Sequence, residues 1–208
     1  MDYEKYLSEY NKIGYGAHGI NLIPNFLDSE TLSYITKFLD EVENDGLVSR
    51  SSIKDEKILS ILTESDARFY ESLKEHYGDK YGVSIRKTPR VASHLLKWNL
   101  GYEDIMPVHS DCETKDGKPV FTNGYYRYNL TIICYLNDDF VGGEITFPQF
   151  DITIKPKAGD LIMFPSRYRH GVMKMHSGKR YSLPSWFSFD VDDEEDYQFS
   201  VGNADELF

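Results

Sequence analysis

Residues 128–172 decide the fold of this chain, and they read YNLTIICYLNDDFVGGEITFPQFDITIKPKAGDLIMFPSRYRHGV. β-Branched and aromatic residues are gathered here into short runs, a composition that β-strands prefer. Between the runs stand Asn-Asp-Asp, Gly-Gly and Pro-Lys-Ala-Gly, which are typical of turns. The stretch therefore predicts consecutive strands joined by short connections.

The same pattern continues on both sides, so that eight strands are predicted from the sequence. They cover residues 90–98, 107–111, 128–136, 144–148, 151–155, 160–165, 170–175 and 180–190. Short strands of this number, preceded by helices, predict an α+β fold with a jelly-roll (double-stranded β-helix) core and a supporting N-terminal helical layer.

Residues 1–86 are predicted to be mainly helical, because apolar residues recur there at the spacing of one helical face. The three inward faces are Tyr3, Tyr6, Leu7 and Tyr10, then Leu32, Ile35, Leu39 and Val42, then Ile58, Leu62, Phe69, Leu73 and Tyr77. The second helix is expected to begin after a cap at Asp28 or Ser29, and the third to cover residues 55–77.

A length of 208 residues is that of one domain with some elaboration. We therefore expect a single domain over residues 1–208. Residues 1–86 would form its helical support, residues 87–191 the jelly-roll core, and residues 192–208 an acidic C-terminal tail.

The formal net charge of −11 disfavours binding to the phosphate backbone of nucleic acids. The longest apolar run, Ile132–Leu136, is far too short to cross a bilayer, and the N-terminus lacks a signal segment. We expect a cytoplasmic protein that binds no membrane. Cys112 and Cys134 suit a reducing compartment, and two buried thiols are favoured over a single disulfide.

His109, Ser110 and Asp111 form a His-x-Asp motif at the end of the second predicted strand. Alternate residues of a strand point to the same face, so the imidazole and the carboxylate could bind one metal ion. A chain with 6 His and 34 acidic residues contains about one such pair by chance, so the motif alone does not establish a site.

A ferrous site of two histidines and one carboxylate needs a second histidine. His170 opens the seventh predicted strand, and the second and seventh strands of a jelly roll can lie side by side. A histidine that packs in the core or ends a strand is the alternative interpretation of His170.

Alternation in the eighth strand places Arg180, Ser182 and Trp186 on the face toward the barrel interior. There the Arg180 guanidinium could bind a carboxylate in a bidentate pair. Tyr135 of the third strand could share the same anion through its hydroxyl. A solvated Arg180 at a strand end and a Tyr135 packed in the core are the alternatives.

Residues 112–127, CETKDGKPVFTNGYYR, form the long connection between predicted strands. A loop of this length is either a functional cover or disordered, and both interpretations stay open. If it covers a substrate, Tyr125, Tyr126 and Arg127 would contact that substrate. Trp98 and Tyr102, which precede the second strand, are interpreted as packing residues.

An ordered set of motifs resembles a known family. The set comprises His109-x-Asp111, YLND at 135–138, GGEITFP at 142–148, KPKAGDLIMFPS at 155–166, His170 and GKRYSLPSWFS at 178–188. Together they are similar to the prolyl 4-hydroxylase-like 2-oxoglutarate and Fe(II)-dependent dioxygenases. LIPNFLDSETLSYI at 22–35 also resembles the entry segment of that family, so the resemblance approaches the whole chain.

The resemblance implies residue roles that the motifs alone do not establish. His109, Asp111 and His170 would be the iron ligands, and Arg180 would bind the distal carboxylate of 2-oxoglutarate with help from Tyr135 and Ser182. Many collagen-type prolyl 4-hydroxylases carry Lys at the position of Arg180, whereas other branches of the superfamily carry Arg. This departure leaves the substrate open.

The resemblance also implies Fe(II) as cofactor, with 2-oxoglutarate and O₂ as cosubstrates, and it suggests ascorbate as a reductant of oxidised iron. The expected activity is hydroxylation of an unactivated C–H bond, foremost in a prolyl residue of a peptide or protein, with release of succinate and CO₂. The alternatives are a hydroxylase of a free amino acid, another small molecule or a nucleobase, and a jelly-roll binding module without turnover.

Overall fold

The computed structural model describes residues 3–99, 106–120 and 127–191. Tyr102, Tyr125 and Tyr126 and the predicted acidic tail at 192–208 lie outside the described residues, as do the side chains of Tyr3 and Tyr6.

All three predicted helices are present. They are α1 (Tyr3–Ile13), α2 (Ser29–Glu41) and α3 (Glu56–Leu73), and α3 continues into a wider π-helical turn at Lys74–Asp79. Of the two caps considered for α2, Asp28 is the observed one, because its carboxylate accepts the backbone N–H of Thr31 at 2.8 Å. This contact satisfies a donor that the first turn of a helix otherwise leaves unpaired.

The described residues contain twelve strands, and each of the eight predicted segments overlaps at least one of them. The strands are β1 (Asn21–Ile23), β2 (Gly46–Val48), β3 (Leu95–Asn99), β4 (Met106–His109), β5 (Leu130–Tyr135), β6 (Val141–Gly142), β7 (Ile145–Phe147), β8 (Ile152–Ile154), β9 (Leu161–Pro165), β10 (His170–Val172), β11 (Met175–Ser177) and β12 (Lys179–Phe187).

The strands form two main antiparallel sheets. The larger has the order β1-β9-β5-β12-β3-β2, the smaller has the order β4-β10-β7-β8, and β6 and β11 form a separate pair. The predicted strand 170–175 is therefore too long. It ends at Val172 because the chain leaves β7 there and then pairs with a different strand, β6.

Residues 1–86, which were predicted to be mainly helical, also contribute two strands. β1 pairs with β9 and β2 pairs with β3, so this region supplies both edges of the larger sheet. Each strand has three residues. Such a short segment shows no alternation of its own, because its conformation comes from the neighbouring strand to which it binds.

The helices pack on one face of the larger sheet. Tyr181, Leu183 and Phe187 of β12 lie in the same apolar core as Ile35 of α2 and Ile58 of α3. The other face of the larger sheet is turned toward the smaller sheet, and the space between them contains the cavity described below. The alternation predicted for β12 is therefore confirmed.

Lys97 of β3 is buried beneath the end of α2, with only 3% of its surface exposed. Its ammonium donates to the carbonyls of Leu39 at 3.0 Å and Val42 at 2.5 Å. A cation at this position satisfies terminal carbonyls and complements the negative end of the helix dipole. The contact locks α2 onto the larger sheet.

Both cysteines are free and buried, as predicted. The sulfur of Cys112 lies 3.6 Å from the Tyr10 hydroxyl of α1. Within the part of the chain that the structure describes, no helix has the length and apolar character needed to span a membrane.

Candidate metal centre

Two histidines meet where β4 and β10 run side by side. His109 and His170 occupy paired positions in these antiparallel strands, and their ring centroids are 4.6 Å apart. Gly171 permits this approach, because a Cβ atom there would lie 2.8 Å from the carbonyl oxygen of Met106. The predicted neighbourhood of the second and seventh strands is confirmed.

Asp111 completes a cluster with these histidines. β4 ends at His109, so Asp111 lies just beyond the strand rather than within it as predicted. Its Oδ1 is 3.4 Å from Nε2 of His109 and 3.8 Å from Nε2 of His170. One ligand atom from each residue lies within 4.8 Å of the others, and two imidazole nitrogens with one carboxylate oxygen are the donor set of a non-haem ferrous site.

Backbone carbonyls orient both imidazole rings. Nδ1 of His109 lies 2.8 Å from the carbonyl of Pro107, and Nδ1 of His170 lies 3.0 Å from that of Tyr168. A carbonyl can only accept, so in the neutral ring each Nδ1 carries the proton and each Nε2 presents a lone pair. This arrangement is the one that metal-binding histidines adopt.

The surroundings also set the charges of the cluster. Burial lowers the pKa of His170 to about 4, so this ring is neutral at pH 7. Burial raises the pKa of Asp111, but the adjacent His170 and His109 outweigh that effect and hold it well below its usual range. Asp111 is therefore an anion facing neutral His170, ready to bind a cation without first losing a proton.

A buried guanidinium occupies the same cavity. Arg180 is 2% exposed, and its Nη2 donates to the Tyr135 hydroxyl at 3.1 Å. Its guanidinium carbon lies 5.0 Å from the Trp98 ring centroid and 4.9 Å from that of Tyr135.

No described carboxylate pairs with Arg180, and its Nε has no hydrogen-bond partner among the described residues. An unpaired buried cation is costly, and an anion bound beside it would remove much of that cost. Burial raises the pKa of Tyr135 against the opposing effect of Arg180, so Tyr135 stays a neutral hydroxyl beside the guanidinium.

The cluster and Arg180 line one cavity of about 250 Å³. Apolar side chains make up most of its wall, and the polar groups are few and converge on one space, as in a small-molecule site. Its lining residues include Trp98, Thr131, Ile133, Ile145, Val172, Ser182, Pro184 and Trp186. A larger cleft of about 810 Å³ runs along α3 and residues 87–92 but contains none of these ligands. We assign the site by its chemistry rather than by its size.

The sequence-predicted residues are therefore brought together, with two qualifications. Trp98 is a packing residue, as predicted, but it also forms part of the cavity wall beside Arg180. The sequence analysis predicts no role for Thr131, but its hydroxyl donates to Oδ2 of Asp111 at 2.5 Å. Thr131 lies four residues before Tyr135 in β5, so strand alternation places both side chains on the same face, and this was the pattern that could have indicated its place in the site.

Comparison with known proteins shows that part of the chain is similar to oxygenases. Residues 98–188 match the family model described as the 2OG-Fe(II) oxygenase superfamily. Human prolyl 3-hydroxylase 2 is 42% identical over 73 residues, which are 32% of this chain and 10% of that protein. A PKHD-type hydroxylase of Prochlorococcus marinus strain NATL1A is 32% identical over 80 residues, 36% of each chain. The chain thus matches only a tenth to about a third of these relatives.

The fold also matches a solved structure. The viral collagen prolyl hydroxylase of Paramecium Bursaria Chlorella virus-1 superposes with a TM-score of 0.59 at 15% identity, over 84% of this chain and 97% of that one. At this identity the likeness concerns the fold alone, and it confirms the predicted double-stranded β-helix core with its helical support.

Proposed function

We propose that this chain is a prolyl 4-hydroxylase-like 2-oxoglutarate and Fe(II)-dependent dioxygenase that hydroxylates a prolyl residue in a peptide or protein. The balanced reaction consumes 2-oxoglutarate, O₂ and one C–H bond and yields succinate, CO₂ and one C–OH group. The observation that carries the proposal is the buried Arg180, which pairs with no carboxylate among the described residues and lies in the same cavity as the His109, Asp111 and His170 cluster.

The residues of the cavity have separate tasks in this proposal. His109, Asp111 and His170 would hold Fe(II), which when bound would supply the oxidative chemistry of the reaction. Arg180 binds the distal carboxylate of 2-oxoglutarate, with Tyr135 and Ser182 beside it. The protein would supply three ligand groups to the ion, and the rest of the cavity would remain available to the cosubstrates.

The apolar wall has a chemical purpose as well as a structural one. Ile133, Ile145 and Val172 line the cavity between its polar groups. A wall without hydrogen-bonding groups excludes water, which strengthens the pairing of Arg180 with a carboxylate. It also limits the side reactions of a strongly oxidising centre.

The choice of a prolyl substrate is supported by the names of the similar proteins, which are prolyl and PKHD-type hydroxylases. Most of these names do not state which carbon of the proline ring is hydroxylated. The local identity of 42% with human prolyl 3-hydroxylase 2 favours C3 of the ring as a second candidate beside C4. Chromatographic separation of 3- and 4-hydroxyproline after acid hydrolysis of the product distinguishes the two positions.

The first test is binding of Fe(II) and 2-oxoglutarate in the absence of oxygen. The wild-type protein is expected to show the weak visible charge-transfer band of a chelated oxo acid. Asp111→Ala is expected to lose the band, and Arg180→Ala to need more 2-oxoglutarate to reach it. No band in the wild type would refute the proposal and favour a binding module without turnover.

The second test concerns the substrate. Succinate release is measured with proline-containing peptides, with free proline, and with neither. Release that depends on peptide supports the proposal. Release that depends on free proline alone would replace it by hydroxylation of a free amino acid, and ascorbate is added in a parallel series to test its requirement.

A further inference from the structure

Two hydroxyl groups form a chain that ends on the carboxylate of the metal cluster. Ser166 Oγ lies 2.7 Å from Thr131 Oγ1, and Thr131 Oγ1 lies 2.5 Å from Asp111 Oδ2. We propose that Thr131 and Ser166 are positioning residues that hold the Asp111 carboxylate so that a single oxygen, Oδ1, is presented to the metal ion. This inference rests on the proposed function, since it concerns the same cluster.

The direction of these two hydrogen bonds follows from the number of hydroxyl protons, because Thr131 and Ser166 have one each. An ionised carboxylate can only accept, so the hydrogen bond between Thr131 and Asp111 uses the one hydroxyl proton of Thr131. Ser166 must then donate its own proton to Thr131. Hydrogen bonds that run in one direction strengthen each other, and the last one, from a hydroxyl to a charged oxygen, has the short distance typical of such a pair.

The two oxygens of Asp111 consequently have different surroundings. Oδ1 faces His109 Nε2 at 3.4 Å and His170 Nε2 at 3.8 Å, whereas Oδ2 is bound by Thr131. Rotation of the carboxylate that brought both oxygens to a metal ion would break the contact with Thr131. The hydroxyl therefore favours ligation through one oxygen, which leaves more positions on the metal for other ligands.

Burial makes the contact difficult to replace. Thr131 is 1% exposed and Ser166 is fully buried, so water has little access to Oδ2 in their place. A buried acceptor that loses its donor keeps the desolvation cost without compensation. Removal of the Thr131 hydroxyl should therefore let the carboxylate turn toward another donor or toward the metal.

The hydrogen bonds among Ser166, Thr131 and Asp111 also connect the two sheets. Thr131 belongs to β5 in the larger sheet, where it pairs with Phe164 of β9 and Trp186 of β12. Asp111 follows β4 of the smaller sheet, and its N–H donates to the carbonyl of Ser166 at 3.0 Å. The hydroxyl of Ser110 donates to the same carbonyl at 3.0 Å. The centre of the larger sheet thus serves as a rigid reference for the metal-binding loop.

Co(II) is a suitable probe, because it accepts the same donors as Fe(II), resists oxidation and has visible bands that depend on its coordination. The dissociation constant and the visible spectrum are measured for the wild type and for Thr131→Val, which removes the hydroxyl but keeps a branched side chain. We expect Thr131→Val to bind about 10- to 100-fold more weakly, with an altered spectrum, as for loss of a group that orients a metal ligand. Thr131→Ser should restore both properties.

Two further variants make the test specific. Ser166→Ala keeps the Thr131 hydroxyl and should weaken binding in the same direction by a smaller factor. Thr146→Val is the matched control, because Thr146 lies in β7 of the smaller sheet and its hydroxyl bonds to the carbonyl of Ile152 rather than to the cluster. This control should bind Co(II) like the wild type.

The possible outcomes distinguish failure of the proposed function from failure of the positioning role of Thr131 and Ser166. A wild-type protein that binds no Co(II) would overturn the proposed function and this inference with it. Wild-type binding with the same constant and spectrum in Thr131→Val would overturn the inference alone. If thermal melting shows that Thr131→Val does not fold, the test relies on Ser166→Ala. An unchanged Co(II) dissociation constant and an unchanged visible spectrum in Ser166→Ala then refute the positioning role of the two hydroxyls.

Discussion

Replacement of Arg180 by Met should separate binding of the cosubstrate from stability of the fold. Methionine keeps a long, flexible side chain but lacks the charge that no described carboxylate neutralises. The variant gives up two cation–π contacts and one hydrogen bond to Tyr135, together worth about 5 kcal/mol at this buried site. It also removes a buried cation whose desolvation costs several kcal/mol. Because these two effects oppose each other, we expect Arg180→Met without ligand to melt close to the wild-type temperature.

When 2-oxoglutarate is added, the wild type should melt at a higher temperature than Arg180→Met. A bidentate pair contains two hydrogen bonds between charged groups, each worth about 1.5 kcal/mol at the low end, or about 3 kcal/mol in total. At about 1.4 kcal/mol for each tenfold change, the variant should bind 2-oxoglutarate about 100-fold more weakly. Thermal melting at increasing 2-oxoglutarate should therefore raise the melting temperature of the wild type much more than that of Arg180→Met.

Arg50→Met is the matched control. Arg50 donates to Asp66 at 2.6 Å and to the Ser93 hydroxyl at 2.8 Å, and it does not line the cavity. Its loss should cost about 1–3 kcal/mol of stability and leave the response to 2-oxoglutarate unchanged. Wild-type affinity for 2-oxoglutarate in Arg180→Met would refute the assigned role of this guanidinium, and a large loss of stability without ligand would refute the account of its buried charge.

Three further predictions follow from other parts of the fold. Lys97→Met removes the donor that satisfies the last carbonyls of α2, so it should lower the free energy of unfolding in urea by about 1–3 kcal/mol. Binding of Co(II) should stay unchanged, and an unchanged midpoint of the urea curve would contradict the assigned cap. Gly171→Ala places a Cβ atom 2.8 Å from a carbonyl oxygen of β4 and should weaken Co(II) binding in a titration, since the two histidines lie on these strands; wild-type affinity would show that β10 can shift without cost. Hydrogen bonds from Lys179 and Tyr181 lower the pKa of Asp40 from 3.8, so its contribution to stability is complete above that pH and is lost as the pH falls below it. Asp40→Asn should flatten this acid part of the pH–stability curve, and an identical curve would contradict the assignment.

Much of the candidate site could be predicted because it depends on strand alternation. Arg180 and Ser182 differ by two positions in β12, so strand alternation places both on the same face, and that face lines the cavity. Tyr135 followed by the same rule in β5. The order of the motifs along the chain then indicated the family, because chance can produce one His-x-Asp pair but rarely the whole set in order.

The strands β1 and β2 could not be predicted in the same way. Each is three residues long and is formed by pairing with a distant partner, so its own residues show no periodic pattern. The break of the predicted strand 170–175 has a similar origin. It reflects a change of partner from β7 to β6, which is a property of the sheet rather than of the segment.

The sequence by itself determined the class of fold, the three helices and the two faces of β12, and the family resemblance assigned a set of residues to metal and cosubstrate. These depend on local periodicity and on motif order, which are present in the linear chain. Only the tertiary structure decided that His109 and His170 face each other across β4 and β10, that Arg180 is buried without a described carboxylate partner, and that the Thr131 hydroxyl of the larger sheet donates to one oxygen of Asp111. The physical reason is that burial, charge pairing and hydrogen-bond direction depend on distances between segments far apart in the chain, and those distances exist only after the two sheets have packed together.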